Sequence, residues 1–298
     1  MFRNPQIDEL RAFNRTVTER IGVLEDHYLA RDRSLGLDRL LWEIGQNGAD
    51  VRELRERLGL DSGYLSRLLR ALEREGLVTT VASPDDTRVR RASLTVEGRK
   101  EVGTLDDLSD ELVGAILAPL SEPQRQQLVA AAATVRRLFT ASAVTIGPVD
   151  PDSREAQYAV GEYFAVLAER FEDGFEARTT RQATADEMRP PAGQFLLASL
   201  KGRTVGCVGL KLHRPDPAEI KRLWVSERVR GMGVGRRLLQ AVENAALDMG
   251  AAAVRLDTNR SLTEAIQLYR SSGYQEIAAF NDEPYAHFWF QKILVPSA

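Results

Sequence analysis

The chain has almost no cysteine or histidine. One cysteine, Cys207, stands among 298 residues, which excludes an internal disulfide framework. It lies in the apolar run 205–210 and reads as a small buried residue. The three histidines, His27, His213 and His287, are scattered without metal-ligand spacing, so no metal site is expected. No apolar run approaches the roughly 18 residues of a membrane span. The opening Met1-Phe2-Arg3-Asn4 has no signal-peptide pattern, and a cytoplasmic location without membrane contact is the expectation. Internal repeats and low-complexity tracts are missing too. The formal net charge of −3 gives no whole-chain attraction to nucleic acid, so any DNA contact must come from a local patch. The remaining composition, 43% hydrophobic and 28% charged, is that of a globular protein, and the length suggests two domains.

The most informative stretch is 220–239. A strand-like run ends at Val225. Three glycines then alternate at Gly231, Gly233 and Gly235. Val234, Leu238, Val242 and Ala245 follow at helical spacing. Residues without Cβ let backbone N–H groups converge, and the helix behind them presents its positive end. A pyrophosphate needs that arrangement. The loop is not a P-loop, because no Gly-Lys-Ser/Thr follows, and its glycine spacing is not that of a dinucleotide fingerprint. It fits Arg-x-x-Gly-x-Gly from Arg230 to Gly235.

In the first half, Ile7, Leu10, Phe13, Val17, Ile21, Leu24 and Tyr28 step by three or four, which predicts one long amphipathic helix. Its apolar stripe can pack within its domain or on a second subunit. A helix over 37–44 follows, then a turn at Asn47-Gly48-Ala49-Asp50, with Asp50 and Glu53 reading as a capping box. Val51, Leu54 and Leu58 face inward, Gly59 ends that helix, and Asp61 caps the next, over 62–75. Leu65, Leu68, Leu69 and Leu72 form its buried face, while Gly63, Ser66, Arg67, Arg70 and Arg74 lie mostly on the other side, and Ser62, Gly63, Ser66, Arg67 and Arg70 are the candidate DNA contacts. Two short helices joined by a tight turn form a helix-turn-helix, and outward Ser and Arg suit base edges and phosphates. A solvated arginine face would give the same pattern. Strands at 77–81 and 91–95 then flank a polar turn, which reads as a wing whose Arg88, Arg90 and Arg91 suit a DNA backbone or minor groove. Residues 52–100 carry 11 basic and 8 acidic side chains, a mild local excess.

This segment resembles the MarR family of winged-helix repressors. The resemblance rests on Glu73-x-x-Gly76-Leu77-Val78, Pro84-x-Asp86-x-Arg88 and Leu94-Thr95-x-x-Gly98. It implies that Asp86 and Arg88 brace the wing by charge-assisted hydrogen bonding. It further implies that the first helix and the helices predicted at 97–118 and 122–141 form a homodimer on double-stranded DNA. Ser83 and Thr87 depart from the family's usual residues.

The second half begins with a Pro-containing junction at 145–153, partly linker and partly the first strand of the next domain. Strands are predicted at 195–200, 205–212, 219–225, 254–259 and 288–294, with helices from 154 to 171, after the glycine loop, and at 265–272. Residues 144–294 resemble GNAT-type N-acetyltransferases. The resemblance is carried by the Arg-x-x-Gly-x-Gly loop, by Asn259, and by Ala265, Leu268-Tyr269 and Gly273-Tyr274 in that order. It implies that acetyl-CoA binds along Leu223, Trp224 and Val225, with its pyrophosphate on Arg230, Gly231, Met232, Gly233, Val234, Gly235 and Arg236 and its pantetheine arm on Asn259. Acyl transfer develops an oxyanion, which backbone N–H groups at 223–225 would meet. Tyr269 corresponds to the general acid and Glu219 to a candidate base. Arg222, Tyr285 and His287 are possible acceptor contacts.

The expected architecture is therefore multidomain. Residues 1–142 form a mostly helical, MarR-like winged helix-turn-helix, and residues 143–298 an α/β GNAT domain with a mixed sheet. The expected function is a transcriptional regulator that is also an acetyl-CoA-dependent N-acetyltransferase acting on a small amine. The alternatives are a regulator whose second domain only senses acetyl-CoA, and an enzyme whose first domain only dimerises.

Overall fold

The computed structural model describes residues 4–22, 29, 33–82, 89–171, 174–176, 183–213, 215 and 217–295. It divides into two compact units, Met1–Ala132 and Ala133–Ala298. The helix Glu122–Ser142 carries the division, and its last residue is the boundary expected from sequence.

In the first unit, α1 (Pro5–Arg20) starts on an Asn4 side chain that accepts from the Gln6 N–H, with Pro5 at the first position. It ends at Ile21 and Gly22, the latter at φ 67°. The predicted stripe is thus shorter than one helix to Tyr28, and Leu24 and Tyr28 lie outside the described residues. Ile7, Leu10, Phe13 and Val17 are exposed within the chain.

There follow α2 (Leu35–Ile44), β1 (Ala49–Asp50), α3 (Val51–Leu58), α4 (Ser62–Arg74), β2 (Val78–Ala82), β3 (Arg90–Leu94), α5 (Val96–Leu117) and α6 (Glu122–Ser142). The small sheet has the order β1-β3-β2. Its first strand was not expected, because the segment 47–50 reads as a turn. Ala49 and Asp50 nevertheless pair with Ala92 and Arg91. Asp50 stands at the N-cap position of α3 but makes no side-chain cap. Its carboxylate lies 3.5 Å from Arg91 Nη1 instead, so the expected capping box gives way to an ion pair. Leu40, Leu41, Leu54, Leu65, Leu72 and Leu105 are buried together and join the helices to the wing's inner face.

The run Leu94-Thr95-x-x-Gly98 has a steric explanation. Thr95 caps α5, its Oγ1 accepting from the Gly98 N–H at 2.9 Å and donating to the Gly76 carbonyl at 2.7 Å. The Thr95 N–H donates to the Leu77 carbonyl. This draws α5 so close that a Cβ on residue 98 would stand 2.0 Å from Leu77 O.

The second unit is a seven-stranded sheet, in the order β4-β5-β6-β7-β8-β10-β9. The strands are β4 (Val144–Pro148), β5 (Gly193–Leu200), β6 (Arg203–Lys211), β7 (Ala218–Val225), β8 (Ala253–Thr258), β9 (Gln275–Ile277) and β10 (Phe288–Ile293). The helices are α7 (Arg154–Arg170), α8 (Val234–Asp248) and α9 (Thr263–Ser271). Alternate residues separate the two faces. Leu196, Ala198, Val208 and Leu210 pack with Leu238, Leu239 and Val242 of α8. Phe195, Leu197, Cys207 and Trp224 pack with Ala156 and Ala159 of α7. Pairing is antiparallel except between β7 and β8. Strand β9 was not expected, because Gln275-Glu276-Ile277 has no apolar alternation. It forms because β10 offers it an edge.

Gly98→Ala places a methyl on a backbone oxygen that cannot rotate away. It is expected to cost on the order of 3 kcal/mol of first-unit stability. Denaturant unfolding checks this, and a change under about 1 kcal/mol would contradict the steric account.

Candidate functional site

Strands β7 and β8 pair at two rungs, Ala218 with Val254 and Glu219 with Arg255. Beyond them the strands part, and the edge of β7 at 220–225 faces a cleft instead of a strand. On its other side β7 is bulged. Cys207 sits opposite Trp224 and Gly209 opposite Lys221, so Val208 faces two residues, Arg222 and Leu223. Arg222 takes φ 56°, the left-handed region that an arginine rarely occupies. The Cys207 thiol donates to the Arg222 carbonyl at 3.3 Å. Burial pushes that thiol up to about 12, so it is an inert brace for the bulge.

Two cavities open along the parting and share Tyr163, Leu167, Leu223, Leu262 and Ala265 as a common wall. The first is lined by Arg222, Asp257, Asn259, Tyr269, Glu283 and Tyr285, among others. The second runs past Trp224 and Val225 to Arg230 and Gly235. The expected residues Leu223, Trp224, Val225, Arg230, Gly235, Asn259 and Tyr269 therefore line one or the other of two adjoining cavities.

The glycine loop closes one end of the second cavity. Gly231 and Gly233 take φ 72° and 76°, and nothing lies within 4 Å of where their Cβ atoms would stand. Gly233 is the N-cap of α8 and supplies no side-chain cap, so the first N–H groups of that 15-residue helix point outward without a protein partner from the cap. Gly235 serves packing, since a Cβ there would meet Leu268 at 3.3 Å and Val225 at 3.6 Å. Arg230 holds Glu227 at 2.8 Å, and Arg236 donates to Ser271 Oγ at 3.1 Å. Val234 is buried beneath the loop and Met232 packs on the same core, so both anchor it through their side chains. The arrangement fits a pyrophosphate.

Tyr269 is 6% exposed, and burial followed by the nearby Tyr163 and Asp257 raises its pKa. Tyr163 is raised likewise, by burial and then Asp257. Both phenols stay protonated through neutral pH. Asn259 Nδ2 donates to the Tyr285 carbonyl at 2.7 Å, and Asn259 Oδ1 accepts from the Ser261 N–H at 2.9 Å. The amide thus fixes two loops of the cleft as well as lining it.

Glu219, the candidate base, is the second residue of β7 and sits in a charged cluster. It lines neither cavity. It lies at the last rung, within 3.1 Å of Arg255, 3.4 Å of Lys221 and 3.5 Å of His213. Burial pushes its pKa up, but the charges of Lys221, His213 and Arg255 outweigh burial and hold it below the ordinary value. A carboxylate so held stays ionised through neutral pH. Lys221 also binds Asp257 at 2.8 Å, and Asp257 accepts from Asn281 Nδ2 at 3.1 Å. His287 is placed by its backbone N–H, which donates to the Thr258 carbonyl.

Sequence reasoning missed the cleft's far wall. Tyr163, Phe164, Phe171 and Phe175 line it, with ring centroids 5.2–5.8 Å apart along Phe164, Phe175, Phe171 and Tyr285. Aromatic enrichment at 163–175 was the available signal, but it also suits an ordinary core.

In the first unit, Ser62, Gly63, Arg67 and Arg70 are exposed on α4 and Ser66 is half-buried. Arg70 donates to Ser66 Oγ at 2.9 Å, and Arg67 lies 5.5 Å over the Tyr64 ring. Arg90 is exposed. Arg91 is not a free cation, since it donates to the Asn47 carbonyl at 2.7 Å besides facing Asp50. These contacts brace the wing. Arg88, with Ser83, Pro84, Asp86 and Thr87, lies outside the described residues.

Residues 161–274 match the family described as acetyltransferase (GNAT) family, and residues 39–89 match the MarR family. An IAA acetyltransferase of Azospirillum brasilense is 30% identical over 125 residues, which is 42% of this chain and 82% of that protein. An uncharacterized N-acetyltransferase of Schizosaccharomyces pombe is 30% identical, over 42% of this chain and 78% of its own length. For the first unit, an uncharacterized HTH-type transcriptional regulator, YdgJ, of Bacillus subtilis is 27% identical over 28% of this chain and 51% of its own length.

Glu219→Gln would leave Lys221 and Arg255 without their shared counter-charge and is expected to destabilise the second unit by about 3 kcal/mol. Because the folded carboxyl sits below its unfolded pKa, the native state binds fewer protons there. The Glu219 contribution is complete above the unfolded value near pH ~4.3 and is lost as pH falls below it. The variant should therefore unfold with a shallower acid dependence below about pH 4.3, read from denaturant midpoints across pH.

Proposed function

The chain belongs to the GNAT acetyltransferase family in its second half and carries a MarR-family domain in its first, and on that premise we propose that it is a DNA-binding regulator that also acetylates a small amine. The observation carrying the enzymatic reading is a pair of adjoining cavities that lie along the free edge of β7, one reaching the glycine loop at Arg230 and Gly235 and the other the protonated Tyr269. The proposed domains are 1–142 for DNA binding and dimerisation and 143–298 for transfer.

Acetyl-CoA supplies an activated acetyl thioester. The α8 N-terminus, with Gly231, Gly233 and the guanidinium of Arg230, holds its pyrophosphate. Arg236 adds charge beside them. The edge of β7 at Leu223, Trp224 and Val225 pairs with the extended arm as an added strand would, and backbone N–H groups there stabilise the oxyanion of transfer. Asn259 fixes the loops on either side of the arm. Tyr269 keeps its proton until a thiolate needs one. The amine proton leaves through water on the side of Asp257 and Glu283. Glu219 acts at a distance, by holding Lys221 and through it Asp257.

In the first half, α4 is the element that reads DNA. Ser62, Gly63, Ser66, Arg67 and Arg70 are its contacts and Arg90 adds one from the wing. The exposed apolar side chains Ile7, Leu10 and Phe13 on α1 and Leu128, Val129 and Leu138 on α6 support a homodimer through these helices. Among the described residues no helix is long and apolar enough to cross a membrane. A ligand held by the second domain tunes DNA binding in this reading.

Calorimetric titration of acetyl-CoA, followed by thiol release against a panel of amines, tests the enzymatic half. Tyr269→Phe should lower kcat by about 100-fold or more while leaving acetyl-CoA affinity within about twofold. An unchanged kcat would remove Tyr269 from the chemistry. For the regulatory half, Arg67→Ala and Arg70→Ala should each weaken DNA binding and flatten its salt dependence by about one phosphate's worth of slope. Binding with an unaltered slope would argue that the first domain only dimerises.

A further inference from the structure

The first cavity holds two cations with opposite circumstances. Lys221 is paired with Asp257 and Glu219. Burial lowers its pKa but those two carboxylates more than restore it. Arg222, the neighbouring residue on β7, lines the cavity with Asp257 and Glu283 but forms no ion pair among the described residues. Its recorded polar contact is one hydrogen bond, from Nη2 to the Ala183 carbonyl at 2.8 Å. Burial alone drives its pKa down, with only the phenol of Tyr163 and the thiol of Cys207 opposing. A guanidinium has several N–H donors in a planar fork shaped for a carboxylate. Arg222 is half-buried, and burying a guanidinium even in part without a counter-charge is costly, while its left-handed backbone adds strain. A strained bulge that holds an uncompensated arginine at a cavity wall implies an anion supplied by the ligand.

What lies beside Arg222 narrows the ligand. Its guanidinium sits 5.7 Å over the ring of Phe164. That ring stacks on Phe175 at 5.8 Å, and Phe175 touches Tyr285 at 5.2 Å and Phe171 at 5.5 Å. These rings make an apolar aromatic wall continuous with one cationic point. Tyr269 and Asp257 line the same cavity.

We propose that the acceptor is an amine carrying both an aromatic ring and a carboxylate, with the carboxylate on Arg222 and the ring against Phe164, Phe175 and Tyr285. The proposal rests on the acetyltransferase reading of this cleft and names its substrate class. In the transfer, the acceptor nitrogen forms the new C–N bond as the C–S bond of the thioester breaks. The amine proton goes to water, and the departing sulfur leaves as a thiol with the proton of Tyr269, which solvent restores.

The test uses the full chain and begins with binding. Phenylpropionate and its uncharged amide share ring and length and differ in the anion. Calorimetry should show the acid binding at least about tenfold tighter than the amide. Arg222→Gln should abolish that preference, and Arg222→Lys should keep part of it. Equal affinity for acid and amide, or an unchanged preference in Arg222→Gln, overturns the proposal. The wild-type ligand pair decides alone if the variants fold poorly. Acetyl transfer is then compared between phenylalanine and phenethylamine. A kcat/KM at least about tenfold higher for phenylalanine, lost in Arg222→Gln, supports the proposal. Equal transfer to both overturns it while leaving the acetyltransferase reading intact. Selective binding of the acid with no transfer to any amine upholds the Arg222 site and removes the acetyltransferase reading.

Discussion

The second unit depends on how little β7 and β8 pair. Two parallel rungs hold them, and at the second of these Glu219 gathers Arg255, Lys221 and His213 into one charged cluster. Past that point the backbone of β7 has an edge with no strand opposite it. Hydrogen-bonding groups in the interior of a fold must find partners, so a free edge beside apolar walls is a place for a ligand's backbone-like arm. The bulge at Arg222 and Leu223 turns that edge further, and α8 begins nine residues after its end with its own N–H groups unclaimed. The two cavities, the loop and the buried phenol of Tyr269 follow from this one interrupted ladder.

The first unit depends on close backbone approach. Thr95 ties the end of the wing to both Gly76 and Leu77, and the missing side chain at Gly98 lets α5 sit on the Leu77 carbonyl. Arg91 performs the corresponding work near the start of β3 by reaching the Asn47 carbonyl and Asp50. Helix-turn-helix and wing are therefore held in a fixed relation by short polar contacts as well as by the leucine core.

Most of this was legible in the sequence where residues act through pattern or through the backbone. The glycine loop, the leucine face of α4 and the Asp61 cap needed only spacing, and the resemblance to the acetyltransferases pointed to Asn259 and Tyr269. What was not legible shares a physical cause. Glu219, Arg91 and Asp50 are charged residues whose roles depend on which opposite charge folds against them, and sequence separation hides those partners. Strand β9 exists because β10 has an edge to offer, not because of its own residues. The aromatic wall formed by Phe164, Phe171, Phe175 and Tyr285 is assembled from a helix, the segment after it and a distant loop, and each part alone looks like core.

The buried cysteine has a practical meaning. Cys207 is 0% exposed, and its thiol is both raised by burial and engaged with the Arg222 carbonyl. Thiol reagents such as disulfide dyes and maleimides require an accessible thiolate, so the folded chain presents them with no background. Any thiol liberated in solution can be counted directly against it. A single cysteine introduced on α4 or on the rim of the cleft would take a spectroscopic label alone, making the native sequence a ready-made scaffold for watching either half respond to its ligand.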